Sequence, residues 1–242
     1  MTTTQVSGQF DAFGEAYQHW ERLRSPIVYR RLVALAPGPW GRVLYVGCGA
    51  GSVAFLLAER ASDVIGVDLS PGLLSLAEDR RRRECVGNVT FENVAFANAD
   101  AASLPFRAGA FDLIFSYGVF HHLDADRVLP QVGRLLVVGG RGIVFDYVTS
   151  DPRLNASPLW QIIQAFKSAP GYWRRYGWRA AWRIVAFRVS GRWLRHVCQD
   201  HFLTAEQFRE TFRTHFHRCH FERYGGLMAA VGERLADKAV LA

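Results

Sequence analysis

The sequence predicts an α/β fold: a doubly wound, seven-stranded, mostly parallel sheet with helices on both faces and a helical cap inserted after the fifth strand. Three observations lead there. Residues 42–70, RVLYVGCGAGSVAFLLAERASDVIGVDLS, read as strand, glycine turn, helix and second strand ending in an acid, which is a βαβ unit. Strand-like runs recur at 89–98, 111–116 and 142–147, and the last two, 216–224 and 227–232, fit an antiparallel finish. With 242 residues, 50% of them hydrophobic, one such domain carrying an insertion accounts for the chain better than two independent domains.

Composition narrows the class. No apolar run approaches the length of a membrane span, and MTTTQVSGQF has neither a basic start nor an apolar core. Neither a transmembrane helix nor a secretory signal is read, so the expected location is the cytoplasm. The four cysteines, at 48, 85, 198 and 219, form no Cys-x-x-Cys pair and suit reduced thiols. The net charge of +7 is uneven: residues 151–223 hold thirteen Arg and Lys against five Asp and Glu, leaving the remainder near neutral. That segment calls for an anionic substrate, an acidic membrane surface or nucleic acid.

In chain order, residues 9–35 read as one or two helices, with Phe10, Phe13, Tyr17 and Trp20 spaced along one face as a stripe covering the sheet. Pro26 and the turn-like APGPWG at 36–41 separate them from the first strand, 43–46. Gly47, Gly49 and Gly51 then let the backbone turn sharply and let a ligand approach a helix N-terminus (53–60) without meeting a Cβ. Cys48 lies in this turn, where its small size is reason enough for its presence. The second strand, 64–67, delivers Asp68, which can accept hydrogen bonds from two vicinal ribose hydroxyls. The combination suggests a cofactor containing adenosine. The spacing is GxGxG, and Ser52 stands where the dinucleotide fingerprint wants glycine or alanine, which lowers the NAD reading.

Ser70 suits an N-cap with Pro71 at the first helical position, opening a helix through about residue 82 whose basic end, 80–83, complements the helix dipole. The third strand leads to Asp100 and the fourth to SYGVFHHLD. Strand ends of this kind line the ligand crevice of open α/β sheets, so Ser116, Tyr117, His121 and His122 are expected there. A helix begins near Asp124. A glycine turn at Gly139 and Gly140 precedes the fifth strand, whose Asp146 and Tyr147 reach the crevice end.

Residues 149–199 carry Trp160, Trp173, Trp178, Trp182 and Trp193, with Phe166, Tyr172 and Tyr176 and seven arginines between 174 and 195. This reads as a helical cap over an acceptor, with Pro158 and Pro170 near its joints. An aromatic wall suits a flat or greasy substrate and arginine suits an anionic group on it, with Tyr147, Trp160, Trp173 and Arg174 as candidate contacts. Two rival readings stay open: peripheral docking of 172–195 on an anionic membrane, and, less favoured, binding of single-stranded nucleic acid. The chain closes with a helix from Thr204 to about 214, whose Thr204 and Gln207 have capping-box spacing. Five of eight histidines fall in HVCQDH (196–201) and HFHRCH (215–220), which lack recognised ligand spacing, so no metal is expected.

VGCGAG followed by GVDLS, then NADAASLPF, FDLIFSYGVFHHLD and RLLVVGGRGIVFDY, resemble in their order the motifs of class I S-adenosylmethionine-dependent methyltransferases of the small-molecule, methyltransferase-11-like type. The resemblance covers roughly residues 10–150. It implies a Rossmann-like methyltransferase fold with an N-terminal lid (1–40), a core (41–148), the cap (149–200) and a closing helix with two strands (201–242). It implies S-adenosylmethionine as cofactor, held by Gly47, Cys48, Gly49, Gly51, Asp68 and Leu69. Tyr17 would close over it, Asp100 and Ala101 would meet the adenine, and Ser116 and Tyr117 would lie by the sulfonium. One position departs from the pattern: Tyr45 stands where the family usually has an acid that helps hold the cofactor's ammonium group. SYGVFHH carries neither the Asn/Asp-Pro-Pro-aromatic sequence nor the cysteine nucleophile of nucleic-acid enzymes of this fold. The expected activity is therefore O-, N- or C-methylation of a small aromatic or amphiphilic acceptor, with His121, His122 and Asp146 as candidate catalytic residues. The alternatives are a protein that binds the cofactor without methylating and a membrane-associated lipid or quinone methyltransferase.

Overall fold

The structure is a computed structural model, and it describes Gly8, residues 26–83 and residues 91–234. The aromatic stripe of the N-terminal lid, with Tyr17, and Cys85 lie outside the described residues. Helix α1 (Pro26–Val33) leads to β1 (Trp40–Val46), α2 (Ala54–Ala58), β2 (Ala61–Asp68), α3 (Pro71–Arg83) and β3 (Val94–Asn98). After β4 (Phe111–Tyr117) come a single 3-10 turn (Phe120–His122), α4 (Ala125–Leu135) and β5 (Leu136–Thr149). The cap is α5 (Pro152–Asn155), α6 (Pro158–Tyr176), α7 (Trp178–Arg188) and α8 (Gly191–Val197). The chain returns through β6 (Leu203–Thr204), α9 (Ala205–His215), β7 (His217–Tyr224) and β8 (Leu227–Glu233).

The sheet order is β3-β2-β1-β4-β5-β8-β7. Pairs among β1 to β5 are parallel, and β8 runs antiparallel to both β5 and β7. Strand order reverses between β1 and β4, which opens a crevice at their carboxyl ends. Along β1 the side chains alternate: Val43 and Tyr45 pack with α1 and α2, while Leu44 and Val46 pack with α4 and α9. Both faces of the central strands β1 and β4 are thereby buried, as their near-continuous apolar runs require.

Three details differ from the sequence reading. Gly139 and Gly140 form no turn before the fifth strand; they lie inside β5, where the register against β4 slips from Phe111↔Leu136 to Leu113↔Arg141. Gly139 sits at φ +79° in this bulge, and a Cβ on Gly140 would come within 2.9 Å of the Val137 carbonyl. Pro158 does open α6, but Pro170 lies within that helix, which ends at Gly177 with φ +82°. The two residues of β6, parallel to the end of β5 at Val148 and Thr149, form an eighth strand too short to leave a periodic signal.

The caps form as the residue types dictate. Ser70 Oγ accepts from the Leu73 N–H at 3.0 Å. Thr204 and Gln207 complete a reciprocal box, with Thr204 Oγ1 accepting from the Gln207 N–H at 3.2 Å and Gln207 Oε1 from the Thr204 N–H at 2.9 Å. Thr204→Ala is expected to lower stability by about 1 kcal/mol, read as a lower urea midpoint with an unchanged m-value.

Candidate active site

A cavity of about 1030 Å³ lies over the carboxyl ends of the parallel strands and continues under the cap. Its cofactor end is framed by the glycine turn. Gly47, Gly49 and Gly51 adopt φ of +69°, +52° and +79°. A Cβ on Gly47 would meet Val119 at 2.7 Å, and one on Gly51 would meet the Phe96 ring at 2.8 Å, so packing alone excludes side chains there. A Cβ on Gly49 would meet nothing within 4 Å; it faces the open cleft, where a ligand can approach the backbone. Gly51 supports the turn from below and is absent from the cleft wall, whereas Gly47, Cys48 and Gly49 line it. Cys48 is buried, and a Cβ on Gly66 would come within 2.9 Å of its Sγ, so the thiol acts in packing.

Asp68 ties this turn to the next helix. Its Oδ2 accepts from the Gly49 N–H at 2.8 Å and its Oδ1 from the Ser70 N–H at 3.0 Å, while the carboxylate, with Leu69, lines the cleft. Asp100 and Ala101 line it from the end of β3, and Asp100 Oδ1 also caps its own turn by accepting from the Ala102 N–H at 2.9 Å. Ser116 sits deeper than expected: buried beneath the cleft, it donates to the Val46 carbonyl at 3.1 Å and pins β4 to β1. Tyr117 lines the wall, stands edge-on to Tyr29 and brings its hydroxyl within 3.4 Å of that of Tyr147. Tyr45 is buried at the cleft floor, edge-on to Phe115.

A polar cluster sits where the cofactor end meets the cap. Asp146 accepts from the His121 N–H at 2.6 Å and from the Tyr147 N–H at 2.7 Å, and its Oδ1 lies 2.6 Å from His121 Nδ1. A carboxylate oxygen can only accept, so its 2.6 Å contact assigns the proton of the neutral His121 ring to Nδ1 and leaves Nε2 as the acceptor. His121 also stacks on Phe202, ring centroids 4.7 Å apart. Beyond it, Asp200 Oδ1 lies 3.0 Å from His122 Nδ1, and Asp200 Oδ2 lies 4.0 Å from His121 Nε2 and 3.9 Å from His196 Nε2. His196, Asp200 and Phe202 were not foreseen as site residues. The signal for the first two was HVCQDH, but its placement depends on β6 and on the His201 N–H donating to the His121 carbonyl at 3.0 Å.

Among the described residues, His121, His122 and Asp200 are the group that could hold a metal ion, with one ligand atom from each within 4.8 Å of the others. His122 Nδ1 and Asp200 Oδ1 lie 3.0 Å apart, yet this buried oxygen meets no donor in hydrogen-bond geometry among the described residues. Burial, with His121 adding to it, pushes the His122 pKa down against the pull of Asp200. Burial likewise pushes His196 down from 6.5 to about 4, with Asp200 opposing. Asp200 itself is held below the usual carboxylate range: its burial raises the pKa, but the close approach and charge of His122 outweigh that. At neutral pH His122 and His196 are therefore neutral imidazoles beside an ionised Asp200.

This has a consequence for stability. The unfolded chain binds a proton at His196 near 6.5 and the folded chain only near 4, so the unfolded state holds more protons between those values. Stability is accordingly expected to fall by roughly 2 kcal/mol as pH drops from about 7 to about 5. Urea unfolding at the two pH values checks this, and His196→Gln should flatten a good part of the slope.

On the cap side, Trp160, Gln161, Gln164, Ser168 and Tyr172 of α6 and Arg188 of α7 line the cavity, opposite Tyr147. Arg188 Nη1 donates to Ser168 Oγ at 3.3 Å and to the Tyr172 hydroxyl at 3.4 Å. Trp173 and Arg174, expected as substrate contacts, are instead exposed and away from the wall; the helix turns Tyr172, Arg175 and Tyr176 inward in their place.

A glycine turn with an open face, an acid at the tip of β2 and another after β3, all on one crevice, define an α/β domain built to bind an adenosine-type cofactor beside a covered chamber. Residues 44–144 match the family model described as a methyltransferase domain. The demethylmenaquinone methyltransferase of Thermus thermophilus is 37% identical over 109 residues, covering 44% of this chain and 47% of that protein. The demethylmenaquinone methyltransferase of Lactococcus lactis is 28% identical over 202 residues, 81% of this chain and 73% of that one. Thus the chain spans about half the length of the first relative and nearly three quarters of the second. Among solved structures, the 4+2 cyclase SpnF shares the fold, with a TM-score of 0.62 at 17% identity over 98% of both chains. Residues 44–144 thus carry a methyltransferase domain of the S-adenosylmethionine-dependent kind, and S-adenosylmethionine is the cofactor of that family. The cleft fits that group: Gly49 offers bare backbone, while Asp68 and Asp100 offer carboxylates from the neighbouring ends of β2 and β3.

Proposed function

We propose that the protein is a cytoplasmic enzyme that methylates a small aromatic or amphiphilic acceptor held beneath the cap. The observation that carries this reading is one cavity running from the glycine turn, past the Asp146–His121 pair, to an aromatic wall built by the cap. S-adenosylmethionine, when bound, supplies an electrophilic methyl group. Gly47, Cys48, Gly49, Asp68, Leu69, Asp100 and Ala101 bind it. Tyr117 and Tyr147 border the junction, and Trp160, Tyr172 and Arg188 orient the acceptor. Alignment of the acceptor accounts for most of the acceleration in such a reaction, and the cap excludes water from it. His121 Nε2, held as an acceptor by Asp146 on the other nitrogen, takes the acceptor's proton where the acceptor carries one. The names of the two relatives add support for an aromatic acceptor, since each is a methyltransferase of a demethylated quinone.

A second reading is favoured by Tyr45 alone: a protein that binds the cofactor through the same residues without methylating. Incubation with radiolabelled S-adenosylmethionine and a panel of phenols, quinols and aromatic acids separates the two. Label transfer with formation of S-adenosylhomocysteine supports methylation. Cofactor binding with no transfer across the panel supports the second reading.

A further inference from the structure

The cap has a face that the chamber does not use. Helix α6 sends Trp160, Gln164, Ser168 and Tyr172, four residues apart, toward the cavity. Its opposite side carries Leu159, Ile163, Phe166 and Trp173 at spacings of four, three and seven, which is a second helical stripe, and all four are exposed. Helix α7 packs alongside and adds Trp178 and Trp182. Trp173, Trp178 and Trp182 are 64, 63 and 65% exposed. Of the large apolar residues exposed among the described residues, all but Val138 lie between 154 and 182. Scattered singly, such residues need no explanation; gathered on one hairpin they mark a surface that meets something apolar.

Charge selects the partner. Residues 152–199 contain no Asp or Glu and nine Arg and Lys. Arg174, Arg179 and Arg183 are exposed beside the tryptophans, and the Arg179 guanidinium lies 5.4 Å over the Trp178 ring. A second copy of the chain would set the same positive charges against each other. An anionic bilayer surface answers both features. Tryptophan rings sit at headgroup depth, arginine stems cover apolar surface while their heads reach lipid phosphates, and a basic amphipathic surface adsorbs in the interface plane. No helix among the described residues is long and apolar enough to cross a membrane, so the contact is peripheral.

We propose that the outer face of α6 and α7 is a docking surface for an anionic lipid bilayer. The inference stands independently of the methyl-transfer reading, since it rests on the face of α6 turned away from the chamber.

The test is flotation of the purified full chain with phosphatidylcholine vesicles and with mixed phosphatidylcholine–phosphatidylglycerol vesicles, at low and high salt. The expected result is co-flotation with the mixed vesicles only, release by salt and a blue shift of tryptophan emission on binding. Trp178→Ala with Trp182→Ala, and separately Arg179→Glu with Arg183→Glu, should each reduce partitioning by about tenfold or more. Calorimetric affinity for S-adenosylmethionine should not change in either double variant, which also shows that each is folded. Absence of binding to mixed vesicles, or binding that both double variants retain, overturns the proposal. So does a concentration-dependent dimer that the tryptophan variant dissolves, which would assign the face to a second copy.

Discussion

Asp68→Ala is expected to lower S-adenosylmethionine affinity by about a hundredfold or more, because the carboxylate serves the site twice. It faces the cleft at the tip of β2, and it fastens the glycine turn by accepting from the Gly49 and Ser70 N–H groups at 2.8 and 3.0 Å. Losing charge-assisted hydrogen bonds to a ligand costs roughly 1.5–3 kcal/mol each, and here the turn that presents the cofactor's backbone contacts loosens as well. Asp68→Asn separates the two roles. An amide can accept at one oxygen but must turn its NH₂ toward the ligand or toward one of the two backbone donors, so its affinity should fall between wild type and alanine. Calorimetric titration of both variants checks the order. An alanine variant with wild-type affinity would remove Asp68 from the cofactor site.

Asp146→Asn should reduce kcat on the order of a hundredfold to ten-thousandfold while leaving cofactor affinity nearly unchanged. The buried carboxylate accepts from two backbone N–H groups and orients the His121 ring through Nδ1. Asparagine keeps the shape, but its NH₂ opposes one of those donors and favours the other imidazole tautomer, which places the proton on Nε2 where an acceptor nitrogen is needed. Asp146→Ala should go further and destabilise the fold by about 3 kcal/mol or more, since it strands buried donors without a partner. The readout that distinguishes catalysis from architecture is the pH profile. If His121 is the base, the acidic limb of kcat/KM moves or disappears in Asp146→Asn. A purely structural pair would change the unfolding midpoint and leave the profile of the folded enzyme in place.

The parts of this structure legible in the sequence are those that local spacing determines. The GxGxG turn, Asp68 at a strand tip, the Ser70 cap and the Thr204–Gln207 box each lie within a few residues of their partners, so residue type and offset suffice to place them. The His121–Asp146 pair was half visible: both residues were expected at the crevice, but their 2.6 Å contact depends on the β4–β5 register, which a bulge at Gly139 and Gly140 shifts. His196, Asp200 and Phe202 escaped because they arrive from the far end of the cap, on α8 and on the loop that leads into a strand of two residues. The error over Trp173 and Arg174 has a different origin. Periodicity locates the inner face of a helix when the outer face is polar, whereas α6 carries apolar residues on both sides, so its phase was undetermined. The feature that defeated the sequence reading is the same one that marks the cap's outer surface.

The most direct test of the cofactor assignment is calorimetric titration of the purified chain with S-adenosylmethionine and S-adenosylhomocysteine, using Asp68→Ala as control. Micromolar binding of both by the wild type, lost in the variant, is the expected result. No binding by a folded wild-type protein would contradict it, and would mean that Tyr45, buried at the cleft floor in place of the family's acid, has cost this scaffold its cofactor.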